Sequence, residues 1–190
     1  MISEFQSLKE QALHCQKCPL CKTRGHVVFG AGNETAEVLF VGEGPGGEED
    51  KVGEPFVGRA GILFDKYLKH VDLDRQKNIY IANIVKCRPP QNRDPKEDEQ
   101  SACLPYLQKQ IALIQPKIIV CLGRVAAQKL IAPDFRVTKS HGQFYEKAPY
   151  LLMGTYHPAA LLRNPQNKGA ALEDFLALQK KIFEVCERTY

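Results

Sequence analysis

Four apolar runs, Glu37 to Val41, Asn78 to Val85, Lys117 to Leu122 and Tyr150 to Tyr156, read as strands buried on both faces. Between them the hydrophobic period lengthens to that of a helix over Ala60 to Val71, Pro95 to Ile114 and Arg124 to Ile131, with Asp94 placed to cap the second of these. Phe5, Leu8, Ala12 and Leu13 share one face of a first helix near residues 3–14. A last helix, Gly169 to Arg188, directs Leu172, Phe175, Leu176, Leu178, Ile182 and Phe183 to the core. Strands alternating with helices predict an α/β fold with a parallel sheet covered on both faces. Ligands of such sheets gather at the C-terminal ends of the strands, and Gly42, Asn83, Gly123 and His157 all fall there.

The chain has 190 residues, enough for one domain spanning residues 1–190 with a substantial core, and shows no repeat, linker or low-complexity segment. A net charge of +4 permits a polyanionic partner without requiring one. The N-terminus lacks a basic start followed by an apolar stretch, and no run approaches a membrane span, so a cytosolic protein is expected. For such a protein, seven cysteines point to metal, catalytic or buried thiols rather than disulfides.

The first strand runs directly into Gly42-Glu43-Gly44-Pro45-Gly46-Gly47-Glu48-Glu49-Asp50, followed by Pro55-Phe56-Val57-Gly58-Arg59-Ala60-Gly61. Glycines at a strand end let the backbone approach a ligand closely. No Gly-Lys-Ser/Thr closes the loop, dinucleotide spacing is absent, and Glu48 to Asp50 would repel phosphate. The loop therefore suits an uncharged planar group or a water, with Phe56 as a stacking face.

Cys15-x2-Cys18, with Cys87 and Cys103 far downstream, would tie two segments together through four thiolates. That donor set suits tetrahedral zinc or an iron-sulfur cluster equally, and Cys18-x2-Cys21 is an equally good first pair. Cys121 and Cys186 read as core or surface thiols. Asn83 ends an apolar run, where its amide either closes a loop or reads a base edge through one donor and one acceptor in a fixed plane. His157, before Pro158 and Ala159, is either structural or placed to stabilise charge on an oxygen, and His141 is the weaker candidate. Arg59, Lys86, Arg88, Arg93, Lys139 and Arg163 flank these loops as solvated cations or phosphate contacts. Leu161 and Leu162 are core residues or wedges that fill the space of an extruded nucleotide.

Together, Gly42-Glu43-Gly44-Pro45-Gly46 with Glu49-Asp50, the Pro55 to Gly61 segment, Asn83-Ile84-Val85-Lys86-Cys87-Arg88-Pro89-Pro90 with Asn92-Arg93, His157-Pro158-Ala159 and the cysteine spacing closely resemble the family four uracil-DNA glycosylases, the iron-sulfur branch of their superfamily. The resemblance covers residues 10–165. It implies a three-layer αβα sandwich around a central four-stranded parallel sheet, and a four-iron four-sulfur (4Fe-4S) cluster on Cys15, Cys18, Cys87 and Cys103, with Cys21 at a variable position. It also implies excision of flipped-out uracil from double- or single-stranded DNA by a monomer. Phe56 would stack on the base, Asn83 would read O4 and N3-H, and His157 would stabilise O2, while Gly42, Glu43 and Gly44 line the pocket and Glu49 crowds the 5-position. Arg59, Lys86, Arg88, Arg93, Leu161, Leu162 and Arg163 would meet the DNA. The best-known branch carries an aspartate where this chain has Gly44, which leaves Glu43 as the nearest carboxylate for the attacking water and, with His157, a catalytic candidate. A non-catalytic nucleic-acid-binding module stabilised by zinc or a cluster is the alternative from another class, and it needs neither Asn83 nor His157.

Overall fold

The computed structural model describes residues 2–190. Along the chain run helix α1 (Glu4–Leu13), strands β1 (Ala31–Gly32) and β2 (Val38–Gly42), helices α2 (Gly47–Val52) and α3 (Arg59–His70), strand β3 (Ile79–Asn83) and helix α4 (Glu97–Ile114). They are followed by β4 (Ile118–Leu122), α5 (Arg124–Leu130), α6 (Val137–Ser140), β5 (Phe144–Lys147), β6 (Tyr150–Thr155), α7 (Pro158–Arg163) and α8 (Lys168–Val185). Every residue of β2, β3 and β4 is buried, which is why these strands appear in the sequence as unbroken apolar runs.

The sheet has six strands in the order β1-β3-β2-β4-β6-β5. Its centre is the expected set of four parallel strands, and two short antiparallel strands, β1 and β5, close the edges. Successive side chains of β2 point to opposite faces. Leu39 and Val41 join α1, α4 and α5 through Leu8, Leu107, Ile111 and Ala126. Val38 and Phe40 join α3 and α8, where Phe40 meets Phe64 at 5.1 Å and Phe175 at 6.0 Å between ring centroids. Two cores back to back on one sheet make the three layers. No helix of the described residues is long and apolar enough to cross a membrane.

Three expectations are corrected. The long helix α4 starts at Glu97 rather than Pro95, because Glu99 turns back to accept the Lys96 main-chain N–H at 2.8 Å, and Asp94 pairs with Arg124 instead of capping. Leu176 and Phe183 do not face the core. They are 44% and 67% exposed, because the packed stripe of α8 runs through Ala171, Phe175, Leu178 and Ile182. The same helix stops at Val185, since the buried carboxylate of Glu37 collects the main-chain N–H groups of Glu187 and Arg188 and the Thr189 hydroxyl. Burial pushes the Glu37 carboxyl up, but those hydrogen bonds and Lys117 outweigh it and hold the group below the usual glutamate range. The short edge strands β1 and β5 and helices α2 and α6 carry too few residues to show a period.

Candidate active site

A cleft of about 850 Å³ opens at the C-terminal edge of the four parallel strands. Each strand end contributes to its lining: Glu43 and Gly44 after β2, Asn83 at the end of β3, Gly123 and Arg124 after β4, and Tyr156 and His157 after β6. The register of β2 on β3 pairs Gly42 with Asn83, so the loop after β2 and the amide of Asn83 meet at one level of the sheet.

Asn83 is 2% exposed, and its Oδ1 is the one buried side-chain oxygen or nitrogen among the described residues with no hydrogen-bond partner. An orphaned buried acceptor costs about 1–3 kcal/mol unless something supplies a donor. Gly42 makes its position possible: a Cβ there would lie 2.4 Å from Asn83 Oδ1 and 2.9 Å from Phe56 Cζ. Phe56 holds a φ of +54°, a left-handed conformation that a bulky residue keeps only when its surroundings impose it. Here Arg75 donates to the Pro55 and Phe56 carbonyls at 3.0 and 2.8 Å, and Glu49 Oε1 accepts the Val57 and Gly58 main-chain N–H groups at 2.9 Å each. Glu49 thus lines the cleft and anchors the Phe56 loop, while Asp50 turns away to accept from the Gly25 N–H at 2.8 Å. Neither role could be read from an acidic run.

His157 lies 5.5 Å from Phe56 between ring centroids and caps α7, its Nδ1 accepting the Ala159 main-chain N–H at 3.1 Å. Gly123, at a φ of +89°, leaves the space this ring needs, since a Cβ there would sit 2.8 Å from His157 Cβ. Burial, reinforced by the Arg163 charge and opposed by Glu49, drives the imidazole down to about 4. At neutral pH the ring is therefore uncharged, and with Nδ1 acting as acceptor its proton sits on Nε2. Burial, with Asp94 adding and Arg124 and Arg163 subtracting, pushes the Glu43 carboxyl up to about 7. His141 is bound instead to Asp174 at 2.8 Å and does not line the cleft.

On the far side of β3 a small cavity is lined by Cys15, Cys18, Cys21, Cys87 and Cys103, with Arg24 and Tyr106. All seven cysteines are free. Arg24, between Cys21 and β1, donates to the Cys15 carbonyl at 2.8 Å and to Cys87 Sγ at 3.3 Å, and the Lys86 main-chain N–H donates to Cys103 Sγ at 3.3 Å. Burial pushes the Cys87 and Cys103 thiols up and these donors oppose it, a lining able to steady the thiolates of a metal or cluster ligand set. Among the described residues no three His, Cys, Asp or Glu side chains are grouped closely enough for a single ion. Cys121 lies inside β4 and Cys186 at the end of α8, away from this group.

The sequence profile of the uracil DNA glycosylase superfamily matches residues 29–178. The type-4 uracil-DNA glycosylase of Sulfurisphaera tokodaii is 43% identical over 97% of this chain and 86% of its own, and that of Archaeoglobus fulgidus is 42% identical over 97% and 94%. The chain belongs to the type-4 uracil-DNA glycosylases. A type-4 uracil-DNA glycosylase from Thermotoga maritima is likewise similar, at 43% identity over 86% of each chain.

The surface of this type-4 glycosylase corrects two expected DNA contacts. Lys86 is 2% exposed, its ammonium turned inward to the Asn83 carbonyl and Gln110, so it cannot track phosphate. Leu161, 1% exposed, packs in the core with α3 and α8, so it cannot act as a wedge; Leu162 beside it is half-buried. Arg93 lines the cleft but is forked onto the buried Glu99 carboxylate at 2.8 and 2.7 Å, and Arg88 donates to Asn92 at 2.8 Å. Arg163 lines the cleft, while exposed Arg59 stands at the start of α3 beside the lining residue Ala60. Arg124, Gln128 and Arg136 also line it. The only sequence signal for them was the glycine that ends β4.

Gly42→Ala tests the convergence of these groups. The added methyl is expected to displace Asn83 and Phe56, lowering stability by about 1–3 kcal/mol and the rate of uracil release by about 100-fold. Thermal unfolding and product release on one preparation measure both.

Proposed function

We propose that the protein hydrolyses the N-glycosidic bond of uracil in DNA, releasing free uracil and leaving an abasic site. The observation that carries this reading is the buried, unpartnered Oδ1 of Asn83 at the end of a cleft beside an aromatic ring. Uracil offers the complement: N3–H donates where Oδ1 accepts, and O4 accepts where the Asn83 amide nitrogen donates. A base reaches such a cleft only after leaving the helical stack, which costs least when it is mispaired or single-stranded. The names of the type-4 relatives support the same substrate.

The chemistry follows from two side chains with opposite environments. As the bond from C1′ to N1 breaks, its electron pair moves into the uracil ring and negative charge builds on O2. The neutral imidazole of His157 offers Nε2–H to that oxygen in a site where charge is poorly screened by water. Glu43 holds the attacking water and takes its proton as the oxygen bonds to C1′. Arg163 adds positive charge near both groups, which Glu43 and His157 each register.

Cys15, Cys18, Cys87 and Cys103 are the residues that would hold a 4Fe-4S cluster, all four lining one small cavity. When bound, the cluster would supply a crosslink joining the Cys15-to-Cys18 segment, the segment after β3 and α4. Arg24 then neutralises part of the thiolate charge.

Release of free uracil from oligonucleotides with U opposite G, U opposite A or U in a single strand tests this reading. Wild-type protein releases uracil and Asn83→Ala loses most of that rate. Absence of release from all three substrates by cluster-loaded protein overturns the proposal. The rate has a further signature in pH. The carboxylate form of Glu43 is the active one, so kcat/KM rises as pH increases through about 7 and levels above it. Glu43→Gln is expected to remove that limb along with most of the rate, and an unchanged limb assigns the water to another group.

A further inference from the structure

Lys86 is the only buried lysine among the described residues, and no carboxylate pairs with it. An ammonium removed from water is costly unless its hydrogen bonds are replaced. Two replacements are neutral oxygens: Nζ donates to the Asn83 main-chain carbonyl at 3.0 Å and to Gln110 Oε1 at 2.5 Å. Gln110, near the C-terminal end of α4, is itself fixed by donating to the Phe29 carbonyl at 2.9 Å. The Lys86 main chain is also held at both ends, its N–H on Cys103 Sγ and its carbonyl accepting the Val28 N–H at 2.8 Å. The side chain therefore runs from the cysteine segment back to the last residue of β3.

That last residue is Asn83, whose side-chain oxygen has no protein partner. The amide is aimed by packing against Gly42 and by the backbone that carries it. Beyond it the chain leaves the ladder through Ile84 and Val85, whose N–H groups bond the Gly42 and Glu43 carbonyls. We propose that Lys86 is a positioning residue for base recognition, its buried ammonium pinning the Asn83 carbonyl to α4 so that the side-chain amide faces the base. This rests on the uracil-reading role of Asn83. It places the aim of the base reader under the control of the segment that carries Cys87 and of α4, which carries Cys103.

A residue that acts through Asn83 has no effect once Asn83 is gone, whereas a residue that supports the fold is needed in either background. The test is a double-mutant cycle of wild type, Lys86→Met, Asn83→Ala and the double variant. Single-turnover uracil release is measured with enzyme in excess, with thermal midpoint and visible absorbance checked for each protein. Lys86→Met is expected to slow release about tenfold in the wild-type background and less than about twofold in Asn83→Ala. Equal losses in the two backgrounds, or no loss in either, overturn the proposal. So does a weakened affinity of Lys86→Met for uracil-free DNA with a shallower salt dependence, which would make Lys86 a phosphate contact. Should Lys86→Met lose its cluster or fold, Gln110→Met removes the second partner of the same ammonium away from the cysteines, and the same non-additivity is expected. Absence of release by the wild type would instead defeat the uracil reading itself, so the two failures are distinct.

Discussion

The structure turns on one unmade hydrogen bond. Asn83 ends a fully buried strand and holds its side-chain oxygen buried without a protein partner, a state that a folded chain keeps only with support from elsewhere. That support is distributed: Gly42 gives up its side chain so that the amide fits, and Phe56 adopts a left-handed backbone to close the other side. Arg75 and Glu49 hold Phe56 in place from opposite ends of its loop. These residues come from β2, β3 and the connections after them, and only the parallel register between Gly42 and Asn83 brings them to one level.

Around that amide the cleft divides its titratable groups by environment. Burial and Arg163 strip His157 of its proton and leave a neutral donor, while burial and Asp94 raise Glu43 toward the pH at which a carboxylate exchanges protons with water. The two groups descend from different strands, β6 and β2, so the sheet rather than any local motif sets their roles. The cysteine cavity lies behind the same strand end and shares with it the segment from Asn83 to Cys87.

Much of this was legible in the sequence because burial on both faces writes itself as apolar runs, and because strand ends in such sheets are where ligands collect. The places where reading failed share a cause. Lys86 sits in a basic, proline-rich stretch that looks like a solvated turn, and its burial depends on Gln110, a residue of another helix. Asp94 looks like a helix cap, yet it is taken by Arg124 at the start of another helix. Leu161 and Leu162 are indistinguishable by type, and only the angle at which α7 meets α3 and α8 buries the first and leaves the second half-exposed. Charge and hydropathy report what a side chain prefers. They do not report which neighbour the fold delivers.

The most direct test of the account is the structure of the protein crystallised with free uracil. Asn83 Oδ1 is expected within about 2.7–3.2 Å of uracil N3, with the Phe56 ring against the base face and His157 Nε2 at O2. Uracil bound elsewhere in the cleft, with Asn83 Oδ1 still unpartnered, would contradict it.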